Sequence, residues 1–346
     1  MGPRPPAIYM GETRVSFLEV SDLKKYFPVQ HGLLEQLTTR HLSFVRAVDS
    51  VSFALNKGDI FGLVGESGSG KTTTGRLTIG LVKPTSGSIK LGGVDIPGLS
   101  GTELRNMRRR MQIIFQDPTA SLSPKLTVGD AVADALKLLE GLDNASAKEE
   151  VIKMFEYVGL SPAAELYGRY PGNLSGGQKQ RVVIARALIT SPEYVVADEP
   201  VAMVDVSVRA QILDVMRGMH EKLGLTYLFI THDLAVAKYL CNRVGIMYLG
   251  KIAEQGDTKE IFRIPLHPYT QALLAAVPVP DPSAKRDKKI PHGEIPDAIN
   301  PPPGCRFNPR CPYATDVCRT EEPPLRAVDG AHPTHLVACH WAEKFL

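Results

Sequence analysis

The chain has 346 residues, of which 43% are apolar and 22% are charged, with a mean hydropathy of −0.07. This composition is typical of a globular protein with one main domain and an appendage. The 40 basic and 37 acidic residues give a net charge of +3, a balance that does not require a nucleic-acid partner and leaves room for a modest basic patch. No apolar run reaches the roughly 18–20 residues of a membrane-spanning helix, so we expect membrane contact only through other, embedded proteins.

The predicted elements alternate between strands and helices along most of the chain. We expect them, in chain order, as strands at 15–20, 51–55 and 59–64, a helix at 71–81, a strand at 111–115, helical segments across 127–167, a helix after Ser175, a strand at 194–197, a helix at 207–223 and a strand at 225–230. Short apolar runs followed by helical patterns are typical of βαβ units. The alternation therefore predicts an α/β fold with a mainly parallel sheet.

The composition changes after residue 264, which predicts how the chain is divided. We expect a flexible N-terminal arm at 1–14, a main domain at 15–264 with a helical subdomain at about 117–190, a helix and Pro-rich linker at 265–300, and a small Cys-rich module at 301–346. Prolines are frequent in the linker, and proline lacks the backbone donor of helices and sheets. The arm has no apolar core and does not resemble a secretion signal, so we expect a protein of the cytosol.

A glycine-rich stretch, GESGSGKT at Gly65 to Thr72, lies between a predicted strand and a predicted helix. In the pattern G-x-x-x-x-G-K-S/T, backbone N–H groups and a helix N-terminus surround phosphate oxygens. Lys71 would bind the β- and γ-phosphates of ATP, and the Thr72 hydroxyl would bind Mg²⁺. A plain glycine turn, the alternative, does not require a strand before it and a helix after it. The residues predicted to bind ATP are Gly65, Glu66, Ser67, Gly68, Ser69, Gly70, Lys71, Thr72 and Thr73.

Two carboxylates follow the predicted strand at 194–197. Asp198 would hold Mg²⁺, usually through water, and Glu199 would polarise the attacking water as a general base. An apolar run that ends in Asp-Glu is common by itself. Together with the phosphate loop it predicts an ATPase that uses ATP and Mg²⁺.

The sequence LSGGQ, Leu174 to Gln178, lies between these two motifs. With the three motifs in this order, the chain resembles the ABC ATPase family. The resemblance implies a P-loop ABC ATPase domain with a parallel-sheet core, an antiparallel β subdomain and a helical subdomain. In that family two chains sandwich two ATP molecules head to tail, and the LSGGQ helix contacts the ATP bound to the other protomer. The residues implied at the partner protomer's ATP are Leu174, Ser175, Gly176, Gly177, Gln178 and Asp205.

The resemblance also implies roles for residues outside these motifs. Gln116 matches the residue that touches Mg²⁺ and senses the membrane subunit, and His232 matches the histidine that contacts the γ-phosphate. Phe27 matches the aromatic residue that stacks on adenine, with Tyr26 as the alternative. The family's Ser-Ala-Leu-Asp reads Ala202-Met203-Val204-Asp205 here, so one hydroxyl is lost and the aspartate is kept. The implied catalytic residues are Glu199, His232, Gln116 and Lys71, and the implied Mg²⁺ ligands are Thr72, Gln116 and Asp198.

Segments in the C-terminal third narrow the resemblance. Three stretches resemble the ATPase subunits of oligopeptide or dipeptide importers: Glu260 to Pro282 and the later PPPGCRF and RCPYA stretches. Four further segments are similar to the second of the two ATPase types in such importers. They are GRL at 75–77, FQDPTASLSP at 115–124, Arg169-Tyr170-Pro171 and the long excursion at 31–47. This resemblance implies a heterodimer with a paralogous ATPase, docked on two transmembrane permease subunits at the cytoplasmic face of the membrane. An extracytoplasmic substrate-binding protein would deliver the cargo.

Several alternatives stay open at this point. Peptides are the expected cargo, and an oligosaccharide or nickel is the alternative, because no residue of an ATPase touches the cargo. A soluble ABC ATPase acting on nucleic acid or ribosomes usually has two cassettes or a long coiled coil, whereas this chain has one cassette and no heptad run, so no nucleic acid is expected. A partner that binds ATP without hydrolysing it would not need Glu199.

Four of the five cysteines, Cys305, Cys311, Cys318 and Cys339, lie near the C-terminus. In a reducing compartment such a cluster indicates a metal site. The spacings lack the close Cys pairs of structural zinc sites, and four thiolates also hold iron–sulfur clusters. The resembled importer ATPases carry a 4Fe-4S cluster at the matching cysteines, which implies an iron-sulfur staple here, with zinc or an empty site as alternatives.

The remaining candidate ligands receive a simpler prediction. His332, His335 and His340 lie near the cysteines and are expected to be solvated. Cys241 is expected to be a buried core residue, because a free cysteine behaves as a small apolar side chain.

Overall fold

The structure, a computed structural model, describes residues 16–29, 43–277 and 293–346. Its strands are β1 Leu18–Pro28, β2 Phe44–Leu55, β3 Ile60–Val64, β4 Ser86–Leu91, β5 Val94–Asp95, β6 Met111–Ile114, β7 Tyr194–Asp198, β8 Thr226–Thr231, β9 Arg243–Tyr248, β10 Lys251–Asp257, β11 Arg326–Ala327 and β12 Leu336–Val337. Its α-helices are α1 Lys71–Thr78, α2 Gly101–Arg110, α3 Pro118–Ser121, α4 Val128–Glu140, α5 Asn144–Tyr157, α6 Ala163–Tyr167, α7 Gly176–Leu188, α8 Val206–Leu223, α9 Leu234–Leu240, α10 Thr258–Arg263, α11 Pro268–Ala276 and α12 Asp316–Thr320. Short 3₁₀ helices lie at Pro171–Asn173, Asn308–Arg310 and Ala342–Phe345.

The chain forms two compact units. The first contains the described residues that lie within Met1–Asn56, Phe61–Pro97 and Thr231–Leu346. The second is drawn from Lys57–Ile60 and Gly98–Ile230. The first unit therefore holds the glycine-rich loop and the C-terminal cysteines, and the second holds the LSGGQ and Asp-Glu motifs.

The first unit contains a four-stranded antiparallel sheet in the order β2-β1-β4-β5. β1 pairs with β2 from Leu18 opposite Leu55 to Pro28 opposite Phe44, with register shifts in between. Both strands are longer than predicted. The second half of β1 and the first half of β2 are mostly half-buried or exposed, so pairing with the neighbouring strand defines them there and an apolar pattern does not.

Five further strands of the first unit run in the order β11-β12-β10-β9-β3. β3 and β9 are parallel, and the other neighbours are antiparallel. Val337 of β12 pairs with Glu254 of β10, so the C-terminal residues extend the sheet. The sequence does not predict β10, because its buried interior includes the polar Glu254 and Gln255 and shows no alternation of apolar and polar residues.

The second unit contains three parallel strands in the order β8-β7-β6, together with helices α2 to α8. Every residue of β7, YVVAD, is buried, as expected for a parallel strand covered on both faces. Thr127 and Asp143 cap α4 and α5 with side-chain oxygens, and Gly141 ends α4 with a φ of 72°. The predicted helical character of 127–167 is thereby confirmed.

The remaining elements predicted after residue 58 are confirmed with small shifts of their ends; the helix predicted at 71–81, for example, ends at Thr78. The predicted arm at 1–14 lies outside the described residues, as do 31–42 of the excursion and 278–292 of the predicted linker. The domain boundaries proposed from composition stay predictions. In the described part of the chain, no helix combines the length and the apolar character needed to cross a bilayer.

Candidate functional site

The glycine-rich loop at 65–70 joins β3 to α1 in the first unit. Gly70 has a φ of 102°, which residues with a side chain rarely adopt. A β-carbon on Gly65 would lie 2.1 Å from the backbone oxygen of Met247, and one on Gly70 would lie 2.1 Å from that of Ala47. Glycine is therefore required at both ends of the loop, where the backbone closes against its neighbours.

Lys71 is the first residue of α1, and only 5% of its surface is exposed. Its Nζ donates hydrogen bonds to the backbone oxygens of Gly65 and Glu66, at 2.8 Å each, and to the Ser69 hydroxyl at 3.3 Å. The loop therefore surrounds a buried cation, and a cation at a helix N-terminus attracts phosphate. Other predicted ATP-binding residues are accessible or half-buried: Ser67, Gly68, Thr72 and Thr73.

Glu66, the second residue of the loop, is held by residues that the sequence does not single out. Its backbone N–H donates to the Tyr269 hydroxyl of α11 at 2.9 Å. Its carboxylate accepts hydrogen bonds from the Arg310 guanidinium at 2.7 and 3.0 Å. Sequence reasoning misses both partners because they lie 203 and 244 residues from Glu66 and belong to no phosphate-binding motif.

The two aromatic candidates for adenine stacking differ in their surroundings. The Tyr26 hydroxyl donates to Asp49 at 2.6 Å, and burial together with this hydrogen bond raises the pKa of Tyr26 to about 12. Phe27 is 38% exposed, with the Lys25 amine 5.0 Å from its ring centre. The Phe27 ring is therefore the more accessible of the two.

His232 is exposed in the short connection between β8 and α9, in the first unit. Its neighbours hold this connection in place. The Asp233 N–H donates to the Thr231 hydroxyl at 3.0 Å, and the Asp233 carboxylate caps α9 by accepting from the Ala235 N–H at 2.8 Å. The position of His232 is thus set by a local hydrogen-bonded turn.

In the second unit, Asp198 ends β7 at 2% exposure and Glu199 follows it. Glu199 has a φ of 47°, a conformation that costs a residue with a side chain about 1–3 kcal/mol. Its N–H donates to the backbone oxygen of Ile230 at 3.0 Å. The Gln116 amide nitrogen lies 3.4 Å from the Glu199 carboxylate. The structure thus brings Gln116 and the Asp-Glu pair together after two adjacent strands, β6 and β7.

LSGGQ opens α7 in the second unit. The Ser175 hydroxyl accepts a hydrogen bond from the Gln178 N–H at 3.2 Å, and the Gln178 side-chain oxygen accepts one from the Ser175 N–H at 2.9 Å. This capping box fixes the first turn of the helix. Ser175 and Gly176 are exposed, whereas Leu174 is buried. The helix N-terminus therefore presents its positive end to solvent.

The LSGGQ turn packs against the start of α8. A β-carbon on Gly177 would lie 2.8 Å from Cγ1 of Val208. Asp205, the residue before α8, is exposed, and its side chain makes no capping hydrogen bond. The structure thus brings together the residues implied at the partner protomer's ATP.

The four C-terminal cysteines line one pocket in the first unit, with aromatic rings among their neighbours. Burial raises the pKa of Cys305 to about 12 and that of Cys339 to about 11. Backbone N–H groups donate towards three of the sulfurs, each from the residue two positions later: Phe307 to Cys305, Tyr313 to Cys311, and Trp341 to Cys339.

The geometry does not support the expected metal centre. Within 16–29, 43–277 and 293–346, no group of three or more His, Cys, Asp or Glu side chains is arranged to hold a metal ion. The donor set itself fits a cluster, because four thiols share one pocket and N–H donors of the kind that stabilise cluster sulfurs are present.

One histidine prediction is wrong. His335 is only 2% exposed, and its Nε2 lies 2.6 Å from the carboxylate of Glu254, which is itself fully buried. Local sequence patterns do not predict this pair, because its two residues are 81 positions apart in the chain. His332 is exposed, His340 is half-buried, and Cys241 is buried at the end of α9 as predicted.

Two protein families match two separate regions of the chain, and individual proteins match most of its length. A family described as ABC transporter matches residues 48–202, and a family described as oligopeptide/dipeptide transporter, C-terminal region, matches residues 253–318. The oligopeptide transport ATP-binding protein AppF of Bacillus subtilis is 46% identical over 94% of this chain and 97% of its own length. The di/tripeptide transport ATP-binding protein DppF of Pseudomonas aeruginosa is 42% identical over 95% of this chain and 98% of its own length.

A solved structure confirms the fold. The ATP-binding cassette MJ0796, solved as a dimer in a post-hydrolysis state with ADP and Pi, has a TM-score of 0.60 at 25% identity, over 70% of this chain and 98% of that cassette. The predicted P-loop ABC ATPase fold is therefore confirmed, and the fold and motifs define an ABC-type ATPase. Within that class, the chain belongs to the family of ATP-binding proteins of oligopeptide/dipeptide ABC transporters.

Proposed function

We propose that this chain hydrolyses ATP to drive the import of peptides, as one ATPase subunit of a membrane ABC importer. The observation that carries the proposal is the strained Glu199, which follows a buried Asp198 in a chain that also has an intact phosphate loop. Relatives named for oligopeptide and di/tripeptide transport support peptides as the cargo and favour transport over action on nucleic acid. Import of an oligosaccharide or nickel is the alternative.

Each nucleotide-binding residue has a chemical role in this proposal. The N–H groups of the loop and Lys71 bind the β- and γ-phosphates, and Thr72, Gln116 and Asp198 hold Mg²⁺. Phe27 stacks on adenine. This assignment is supported by the exposure of the Phe27 ring and by the hydrogen bond that already engages the Tyr26 hydroxyl.

Hydrolysis requires a base for the attacking water. Glu199 accepts a proton as the water oxygen bonds to the γ-phosphorus, and the bond from that phosphorus to the ADP oxygen breaks, which releases phosphate and ADP. His232 contacts the γ-phosphate during this step. The positive φ of Glu199 is consistent with this role, because strained backbone conformations cluster at active sites.

The proposed assembly is a heterodimer with a paralogous ATPase. LSGGQ and Asp205 of one subunit would complete the ATP site of the other, since a helix N-terminus with a serine hydroxyl binds phosphate well. The related cassette that was solved as a dimer with ADP and Pi supports pairing of this kind. Two transmembrane permease subunits would dock on the pair at the cytoplasmic face of the membrane, and an extracytoplasmic substrate-binding protein would supply the peptide.

We also propose that Cys305, Cys311, Cys318 and Cys339 hold a 4Fe-4S cluster, with zinc as the alternative. Their shared pocket and the N–H donors at three sulfurs support this proposal. A bound cluster would join separate segments of the C-terminal region and would keep the thiols deprotonated. Iron and sulfide analysis of protein purified without oxygen tests the proposal, and zinc without iron would contradict it.

The Glu199→Gln variant tests the proposed function. We expect ATP hydrolysis by the assembled importer to fall about 100-fold or more, because a general base contributes about 10²–10⁴-fold, while the Kd for ATP changes little. Phosphate release and ATP titration measure the two quantities. Glu221→Gln, which alters an exposed carboxylate of the same unit, is the matched control and should hydrolyse ATP normally. An unchanged rate for Glu199→Gln would remove Glu199 as the base.

A further inference from the structure

We infer that Arg310 and Tyr269 are positioning residues that hold the phosphate loop, through Glu66, in the geometry that binds ATP. This inference rests on the proposed function, because it concerns the affinity of the loop for ATP. Neither residue belongs to a nucleotide-binding motif. Tyr269 lies on α11, and Arg310 directly precedes Cys311 in the C-terminal region.

Every polar group of Glu66 is engaged. Its N–H donates to the Tyr269 hydroxyl at 2.9 Å, and its carboxylate accepts from Arg310 at 2.7 and 3.0 Å. Its backbone oxygen accepts from the Lys71 amine at 2.8 Å. A shift of Glu66 would therefore move an oxygen that anchors the amine proposed to bind the phosphates.

Arg310 is itself held firmly. Its side chain is 10% exposed, and its guanidinium lies 5.8 Å from the ring centres of both Tyr248 and Phe307. Tyr269 belongs to the same aromatic cluster, with its ring centre 4.7 Å from that of Tyr248 and 5.4 Å from that of Phe307. A two-pronged hydrogen bond from a buried, stacked arginine restricts the direction as well as the distance of its partner. Glu66 is thus fixed by a rigid support.

The same C-terminal segment also reaches the other end of the loop. The Arg306 guanidinium donates to the backbone oxygen of Leu249. The next residue, Gly250, donates its N–H to the backbone oxygen of Ser69 at 2.9 Å. The segment from Arg306 to Arg310 therefore supports the phosphate loop near both of its ends.

The test is a titration of the full chain with ATP in the presence of Mg²⁺. We expect the Kd for ATP to rise about tenfold for Arg310→Met, because a hydrogen bond to a charged group contributes enough free energy for a change of this size. Arg310→Lys should give a smaller rise, because lysine keeps the charge and loses the two-pronged geometry. Tyr269→Phe removes only the acceptor of the Glu66 N–H and should raise the Kd about threefold. This variant also carries the test if Arg310→Met does not fold.

Kinetics separate positioning from a general structural effect. In the assembled importer, we expect the KM for ATP of Arg310→Met to rise in parallel with the Kd, while kcat at saturating ATP falls less than about twofold. Because Arg310 is inferred to act through Glu66, the Glu66→Gln/Arg310→Met double variant should bind ATP no more weakly than the weaker single variant. Strictly additive losses, or a lower kcat with an unchanged KM, would overturn the inference.

A matched control removes an arginine that makes only an exposed ion pair. Arg319 pairs with Asp316 at 3.0 Å in the same C-terminal region, and both side chains are exposed. Arg319→Met should leave the Kd for ATP unchanged. If the unaltered chain binds ATP and both Arg310→Met and Tyr269→Phe bind it equally well, the inference is wrong and the proposed function stands. If the unaltered chain does not bind ATP, the proposed function itself is wrong.

Discussion

Asp49 carries a negative charge in the interior of the first unit, where it is 6% exposed. Burial disfavours this charge, but the hydrogen bond from Tyr26 and the charges of Lys251 and Arg306 outweigh burial and lower the pKa of Asp49. The Arg306 guanidinium contacts the carboxylate directly and is itself buried. Removal of the Arg306 charge leaves the buried Asp49 charge without its buried counter-charge, which is costly.

We predict that Arg306→Met lowers the free energy of unfolding by about 3 kcal/mol at neutral pH, because it leaves the Asp49 charge without its closest partner. Urea unfolding of the full chain measures this difference. Arg326→Met is the control, since Arg326 pairs with Glu343 through side chains that are 38% and 49% exposed. The control should lose less than about 1 kcal/mol.

The sign of the pH dependence follows from the lowered pKa of Asp49. Its folded pKa lies below its unfolded value of about 3.9, so the contribution of the charged carboxylate is complete above about pH 5. This stabilising contribution is lost as the pH falls below about 4 and then passes through the pKa of Asp49 in the folded state. The difference in unfolding free energy between the unaltered chain and Arg306→Met should therefore shrink at acid pH. A difference that stays constant from pH 7 to pH 3 would contradict this account.

At the scale of secondary-structure elements, the close contact between α7 and α8 links two motifs. Gly177 lies in the first turn of α7, and Val208 lies in the first turn of α8, just after Asp205. The space between Gly177 and Val208 does not admit a β-carbon. A side chain at this glycine would therefore displace the start of one helix, together with the residues proposed to contact the partner's ATP.

We predict that Gly177→Ala lowers ATP hydrolysis by the assembled importer about tenfold, because overpacking at a close contact costs about 1–3 kcal/mol. ATP titration of the isolated chain should be unaffected, since the LSGGQ turn is proposed to contact the ATP that the partner subunit binds. Val208→Ala removes the methyl groups that meet the new β-carbon and should restore part of the activity in the double variant. If hydrolysis is normal in Gly177→Ala, the contact does not position the LSGGQ turn.

At the scale of the whole molecule, the proposed ATP machinery is divided between the two units. The first holds the phosphate loop and His232, and the second holds LSGGQ, Asp198 and Glu199. Under the proposed function, LSGGQ acts on the ATP of another subunit. Nucleotide should therefore bring two ATPase subunits together, and hydrolysis should release them.

We predict that the Glu199→Gln chain and its paralogous partner form a stable heterodimer in ATP and Mg²⁺, because ATP remains intact between them. In ADP the same pair should separate, since the γ-phosphate contacts are gone. Size-exclusion chromatography with light scattering measures the mass in both conditions. Replacement of Ser175 by a bulky residue, as in Ser175→Trp, should prevent association. Association that is independent of nucleotide would contradict the sandwich arrangement.

The features that the sequence by itself determined are local. The glycine-rich loop, the Asp-Glu pair after β7 and the LSGGQ helix all lie where their motifs predict, because a few neighbouring residues set the φ values, caps and buried strands that build them. The alternation of strands and helices predicted the α/β class, and the order of the three motifs carried the resemblance that implied the ABC fold.

Tertiary structure alone decided which distant charges meet. Glu66 pairs with Arg310, Asp49 pairs with Arg306, and Glu254 pairs with His335, over separations of 244, 257 and 81 residues. No local pattern marks these partners, because a charged residue in a sequence looks the same whether it faces water or a buried counter-charge. Folding removes water from both members of a pair. Only then does the identity of the partner determine how much the pair contributes to the free energy of folding.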